Sequence, residues 1–281
     1  MKVGLALRST VFSPSSIARM IPMLDKSEID SVWFPSVGKA FDALDMCGIS
    51  LGESRRLRVG TGVIKSNDYD DAQLLARVHT LSEGSGGRFV LGVGTGSGTG
   101  KSAIDGLVEL ARRLRAGYPE HRRPPVFFAA LKGRILRAAY LNAEGAILNF
   151  CPPDYVERII PKGARRDGFT LACYVKLFFA EEEPVAKKML VDEMKMYDGF
   201  PQYHVMFEEI GVSDAISGLD SESAIPDKLL EISLANPSDG QMERLVDRFA
   251  RAGVDLPIIY PYVSGDEGYK KAVVERLCNL V

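Results

Sequence analysis

Apolar stretches that read as strands alternate with stretches that read as helices eight times along 281 residues. Few folds remain open to such a chain. Sequential strands separated by helices pair in parallel. Eight such units in this length favour a closed (β/α)8 TIM barrel, which typically takes about 250 residues, over an open sheet. Strands are expected at Lys2–Arg8, Asp30–Pro35, Leu57–Ile64, Phe89–Val93, Val126–Ala130, Ala146–Asn149, Phe169–Phe179 and Pro257–Tyr262. On the seventh strand, Val175, Leu177 and Phe179 share one face. Ser13-Pro14 starts the first helix, as cap and first-turn proline, and the helix is expected to run to about Glu28. Phe41–Ser54 carries Leu44, Cys47 and Leu51 at helical spacing. Further helices are expected from about Asp70 to Glu83 and over Ser102–Ala116, Arg134–Asn142, Pro152–Lys162, Asp239–Ala252 (closed by Gly253) and Gly268–Leu280. Residues 1–281 then form one domain. The segment from about 181 to 237 is longer than one βα unit needs and reads as a helical insertion between strands seven and eight, with Ser213–Ser223 its most mobile part.

Composition narrows the partners. With 35 basic and 37 acidic residues the net charge is −2, so no broad basic field exists for nucleic acid. The four cysteines form no CxxC pair, and with only three histidines no metal site is expected. Free thiols fit a cytoplasmic protein. The apolar start, Met1–Leu7, is too short for a signal peptide or membrane span and reads as a strand.

The fourth strand dissolves into glycines at 92, 94, 96, 98 and 100. Backbone amides bare of side chains at a strand's C-terminal end suit a phosphate. A Walker A loop would need glycine where Thr95 stands, and strands one, three, five, six and eight do not end in the aspartate that holds magnesium. GxGxxG is met in no register. A P-loop-like nucleotide hydrolase stays an alternative, as does a loop that is glycine-rich only to turn. Leu131-Lys132-Gly133-Arg134 follows the fifth strand at a helix N-terminus, where amides and two cations suit phosphate; solvated surface charge is the other reading.

Four stretches together resemble the luciferase-like monooxygenase family. They are Leu57–Ile64, Thr80–Gly96, Pro125–Arg134 running on through Glu144–Asn149, and Ala252–Pro257. The family includes flavin-using luciferases and reductases of the deazaflavin coenzyme F420, such as methylenetetrahydromethanopterin reductase. The resemblance implies a TIM-like barrel and an oxidoreductase that moves hydride between F420, alternatively FMN, and a small organic substrate. It implies a homodimer as well. Thr61, Gly62 and Val63 would lie against the cofactor ring, with a non-prolyl cis peptide at Gly62-Val63 or an ordinary trans bond. Gly94, Thr95 and Gly96 would lie beside the ribityl chain and phosphate, and Leu131, Lys132, Gly133 and Arg134 at the phosphate. Asn67 matches a polar position after strand three or a turn. Many relatives end strand two with an acid and a histidine; Phe34-Pro35 stands there instead. Asp68-Tyr-Asp-Asp71 replaces the Arg or Asn with His-Pro after strand three. The catalytic residues are therefore unassigned, and a flavin-binding or cofactor-free barrel without turnover is the alternative.

Arg8 ends the first strand, where it binds an anionic substrate or cofactor tail or closes a rim salt bridge. Tyr174 either donates a proton to substrate or lines the barrel wall with its hydroxyl satisfied. His79 reads as structural. His204 and Tyr197–Phe207 cover the pocket, pack on a partner subunit or fill the core.

Overall fold

Parallel pairing runs from strand to strand until the last meets the seventh stave and the ring closes. The computed structural model describes residues 2–36, 40–96, 98, 100–119, 123–131, 133–160, 166–220 and 224–280. Its strands are β1 (Gly4–Ala6), β2 (Ser31–Phe34), β3 (Arg58–Thr61), β4 (Ile64–Lys65), β5 (Phe89–Gly94), β6 (Val126–Ala129), β7 (Gly145–Leu148), β8 (Thr170–Ala180), β9 (Ser233–Ala235) and β10 (Leu256–Ser264). The order is β10-β1-β2-β3-β5-β6-β7-β8, and β8 pairs β10 over its whole length to complete the barrel. Two short strands were not expected. β4 carries the third stave onward past Gly62-Val63 and pairs β5 through Ile64↔Val93. β9 lies above β7: β7 pairs the lower part of β8 from Thr170, and β9 pairs the upper part from Lys176.

The interior closes because large rings face glycines on the neighbouring strands. The buried Trp33 of β2 lies between Gly4 and Gly60, and a Cβ on Gly60 would stand 2.7 Å from its ring. Phe127 of β6 packs 5.6 Å from Trp33 and covers Gly145, where a Cβ would again meet the ring at 2.7 Å. Side-chain layers of this kind make the barrel a packed core rather than a pore.

Helices fill the outside. They are α1 (Pro14–Leu24), α2 (Ala43–Glu53), α3 (Asp71–Gly84), α4 (Gly100–Gly117), α5 (Gly133–Asn142) and α6 (Pro153–Ile159). Ser13 caps α1, Asp42 caps α2 and Asp70 caps α3, each accepting backbone N–H bonds that the first turn leaves open. The helix expected to reach Lys162 ends at Ile159, and residues 161–165 lie outside those described. Between β8 and β10 run α7 (Glu183–Asp198), α8 (Pro201–Glu209), α9 (Ser213–Gly218) and α10 (Asp227–Leu230), followed by β9. Ser213–Gly218, expected as mobile loop, is thus helix; residues 221–223 lie outside those described. α11 (Asp239–Arg251) opens on a Ser238/Gln241 capping box, and α12 (Glu267–Cys278) ends the chain's regular structure. No helix among the described residues is long and apolar enough to cross a membrane. All four cysteines are free and buried.

α1 stops at Leu24, short of the expected Glu28, because Asp25 turns to bind the next unit. Its carboxylate accepts the backbone N–H groups of Arg55, Arg56 and Leu57 and the Ser54 hydroxyl. Desolvation raises its pKa, but these hydrogen bonds outweigh it and hold the group at about 2. A carboxyl depressed in the folded state stabilises above its unfolded pKa, and the gain is lost as pH falls through the folded value. Asp25→Asn is therefore expected to cost about 1 kcal/mol at neutral pH, discounted for solvent screening. The gap to wild type should vanish between pH 4 and pH 2 in urea melts, an interval set by the depressed value of about 2. A pH-independent gap would contradict this.

Candidate cofactor site

The third stave breaks where it reaches the barrel's C-terminal mouth. The Gly62-Val63 peptide is cis. Across the break, the buried Thr61 side chain takes over from the backbone ladder: its hydroxyl donates to the Gly92 carbonyl at 2.7 Å and accepts the Gly92 N–H at 2.9 Å. A Cβ on Gly92 would stand 1.9 Å from the Thr61 carbonyl oxygen, so no other residue fits there. From the opposite side of the ring, the β8 residue Tyr174 donates its hydroxyl to the Gly62 carbonyl at 2.5 Å. A Cβ on Gly62 would stand 1.8 Å from that hydroxyl oxygen. Burial pushes the Tyr174 phenol well above its ordinary pKa, so it stays a protonated donor committed to the backbone.

Glycines of the next loop serve two purposes. Gly94 faces Ala129 and Val63, whose atoms would lie 3.1 and 3.2 Å from an added Cβ. Gly96 has φ +60° and faces the Asn67 side-chain oxygen at 2.2 Å from the same position. The N–H of Gly98 donates to the Thr95 carbonyl at 3.0 Å, so Thr95 closes the turn; Ser97 and Thr99 lie outside the described residues. Contacts within the protein thus account for part of the alternation that the sequence suggested was reserved for phosphate. The remaining part is open. Gly100 begins α4 and Gly133 begins α5, and nothing lies within 4 Å of a Cβ at either.

These two helices start at the ends of the neighbouring staves β5 and β6 and pack on each other. Neither carries an acid in its first turn. Arg134 is exposed in the first turn of α5. Lys132 lies outside the described residues. Leu131 is half-buried, and its carbonyl is approached by the Tyr155 hydroxyl at 3.3 Å. Two packed helices that follow neighbouring staves, with no first-turn carboxylate and one exposed arginine, suit an anion at their N-termini.

Nearby, the loops after β2 and β4 are locked together. Asp42 accepts the Tyr69 hydroxyl at 2.8 Å and two Arg77 N–H bonds at 2.9 and 3.1 Å. Burial alone would raise the Asp42 pKa; Arg77 and Tyr69 lower it on balance. Tyr69, in the stretch that departs from the family pattern, therefore has a structural task.

The other half of the mouth is filled by charge and aromatic rings. Lys176 of β8 is wholly buried, with Nζ 2.8 Å from a Glu193 carboxylate oxygen of α7. It lies over Tyr197 at 3.8 Å and Phe150 at 4.2 Å, with Tyr260 and Tyr262 at 5.5 and 5.3 Å. The Tyr262 hydroxyl donates to the same Glu193 oxygen. Arg8, just past β1, reaches Glu193 at 3.8 Å and covers the Tyr262 ring at 5.1 Å. One α7 carboxylate touching residues of three staves places α7 across the mouth over β1, β8 and β10. Arg8 is thus in a salt bridge near the rim.

Tyr203 of α8 accepts the Asn149 amide at 2.8 Å, and Phe207 is buried, whereas Phe200 and Val205 are exposed. His204 sits at the surface beside Asp198, 2.9 Å away, which raises its pKa. His79 is exposed on α3 with its ring 5.2 Å from Tyr118. Phe34 and Pro35 at the end of β2 are buried. Lys176 and Glu193 escaped notice in the sequence. The signal was present: one lysine inside the otherwise apolar run Leu171-Ala-Cys-Tyr-Val-Lys-Leu-Phe-Phe-Ala180. No group of three potential metal ligands occurs among the described residues.

Residues 1–117 match the luciferase-like monooxygenase family. The chain is a (β/α)8 barrel. The barrel is similar to the coenzyme F420-dependent tetrahydromethanopterin reductase of Methanopyrus kandleri, with 17% identity, TM-score 0.71, and 97% of this chain and 96% of that one covered. It is similar to an F420-dependent secondary alcohol dehydrogenase solved with an F420-acetone adduct, with 14% identity, TM-score 0.73, and 100% and 99% coverage. A third likeness is the FMN-bound oxygenating constituent of 3,6-diketocamphane monooxygenase from the CAM plasmid of Pseudomonas putida, with 14% identity, TM-score 0.60, and 100% and 96% coverage. At these identities the likeness is one of fold, and the barrel's own residues must carry the chemistry.

Proposed function

We propose that this luciferase-like barrel is a flavin-type oxidoreductase that moves hydride between F420, alternatively FMN, and a small organic substrate. The observation that carries this reading is that α4 and α5, which pack on each other and follow the neighbouring staves β5 and β6, both begin without a first-turn acid. Solved neighbours named for F420 and for FMN support it.

The residues fit such a cofactor. Amides opening α4 and α5, with Arg134 and Lys132, would hold a phosphate. Thr61, Gly62 and Val63 would back the ring, and the half-buried Val63 side chain against Gly94 gives an apolar shelf. When bound, the cofactor supplies the hydride-transfer chemistry. The chain's part is to orient and to exclude water. Tyr174 fixes the Gly62 carbonyl from below, and the Asp42–Tyr69–Arg77 lock fixes the rim beside it. Hydride transfer depends chiefly on proximity and orientation, so the missing acid and histidine of strand two do not remove it.

Changing Arg134→Ala together with Lys132→Ala is expected to weaken F420 or FMN binding severalfold. Stability should stay within about 0.5 kcal/mol of wild type, as for other exposed positions. Fluorescence titration and thermal melting check this; unchanged affinity would remove both residues from the site. The apolar Phe34-Pro35 end of β2 favours a second reading, a barrel that binds the cofactor without turnover. Tight binding with no oxidation of reduced cofactor across aldehydes, ketones and alcohols would support that one. Closure of the sheet, together with Thr95 at the position where a P-loop needs glycine, argues against the nucleotide hydrolase.

A further inference from the structure

The Arg8 side chain is only 16% exposed, yet among the described residues its one charged partner is Glu193 at 3.8 Å, beyond hydrogen-bonding distance. Its Nε is buried and has no hydrogen-bond partner. Guanidinium carries five N–H donors and no alternative uncharged state, so a burial that leaves them unmet is costly. Such groups are normally satisfied in native proteins, by protein, water or ligand. The charge count points the same way. Arg8 and Lys176 share the single carboxylate of Glu193, and Glu193 is already taken at close range by Lys176 and by the Tyr262 hydroxyl. One positive charge is left over, and it belongs to Arg8. Beside it, the buried Tyr260 hydroxyl makes no hydrogen bond of ordinary length. Arg8 lies just past the C-terminal end of β1, on the same mouth as the Gly62 break, and the part of it that remains exposed is its route to a ligand.

We infer that Arg8 binds the carboxylate of the substrate, so that the substrate class is a small monocarboxylate whose hydride-exchanging carbon lies toward the Gly62 side of the mouth. This deepens the oxidoreductase reading and rests on it. A planar carboxylate matches the arginine fork in shape and brings the one negative charge that the Arg8–Lys176–Glu193 cluster lacks. Glu193 then acts as a spacer: it neutralises Lys176 and holds Arg8 over Tyr262, leaving the guanidinium edge free.

The Arg8 Nε–H resonance reports this directly. Full-length protein would be titrated with benzoate and propionate, and in parallel with benzamide and propionamide, with and without saturating FMN or F420. Cofactor occupancy would be read separately by flavin or deazaflavin fluorescence. A saturable shift of the Arg8 Nε–H signal with the carboxylates, none with the amides, is expected, and it should persist with cofactor bound. Arg8→Lys, which keeps the charge and loses the fork, should weaken benzoate binding about tenfold. Equal response to amide and acid, or no saturable shift, overturns the assignment even if cofactor binds. A shift caused by F420 alone that blocks benzoate overturns it too, by giving Arg8 to an anionic group of the cofactor. Carboxylate binding without any cofactor binding would sink the oxidoreductase reading and leave the anion site standing.

Discussion

Gly62→Ala is expected to destabilise the barrel by about 3 kcal/mol, near the top of the usual range for overpacking a core. The added methyl would stand 1.8 Å from the Tyr174 hydroxyl oxygen, so one of the two must move. Tyr174 has little room to do so, since its ring packs 5.1 Å from Tyr260 and is buried. The glycine is held as well, because its N–H donates to the Phe34 carbonyl at 2.9 Å. Tyr174→Phe alone should cost about 1 kcal/mol, the worth of the lost hydrogen bond to the Gly62 carbonyl. The double change should be less damaging than the sum by at least about 1 kcal/mol, because removing the hydroxyl opens the space that the methyl needs. Urea unfolding of the four proteins gives the coupling. Strict additivity would show that the tyrosine hydroxyl does not reach Gly62. The same pair should report on the site: Gly62→Ala is expected to lose cofactor affinity more steeply than its stability cost accounts for at temperatures where it remains folded.

A second large effect is expected at Glu193. Glu193→Leu should cost about 4 kcal/mol, because it leaves Lys176 buried without a counter-charge. Aromatic rings at 3.8 and 4.2 Å soften that loss without replacing a carboxylate at 2.8 Å. Adding Lys176→Met should recover a large part of the loss, since an apolar side chain of similar length suits a cage of Phe150, Tyr197, Tyr260 and Tyr262. Arg8 keeps some contact with solvent and tolerates the change better. Unfolding curves for the two single variants and the double variant decide the matter. A double variant as unstable as the sum of the singles would mean that the lysine is not the buried charge that matters.

Much of the barrel was legible because local chemistry and global fold agree. Ser13-Pro14 and Asp70 cap helices, and Gly253 adopts the positive φ, +92°, that ends one. Strand ends were placed within a few residues because apolar runs of parallel strands stop where the chain reaches the mouth. β9 escaped because three residues paired only to the upper part of β8 carry no periodic signal. The break between β3 and β4 escaped as a strand boundary because Leu57–Ile64 is continuous in sequence, although the family resemblance marked Gly62-Val63.

The site was legible in part. Glycines 94 and 96 read as phosphate ligands, yet their immediate neighbours are Val63, Ala129 and Asn67. Sequence shows that a backbone must come close to something, not what it comes close to. Arg8 was open between an anion and a salt bridge, and the structure places it against Glu193 with donors to spare. Glu193 could not be paired with Lys176 in advance, because an α-helix laid over a barrel mouth is set by long-range packing and not by spacing.

The most direct measurement is a parallel binding titration of the purified chain with FMN and with F420, followed by fluorescence. Saturable binding of at least one, weakened severalfold by Arg134→Ala with Lys132→Ala, is the expected result. Absence of saturable binding by both would contradict the assignment of the α4 and α5 N-termini as a cofactor's phosphate site.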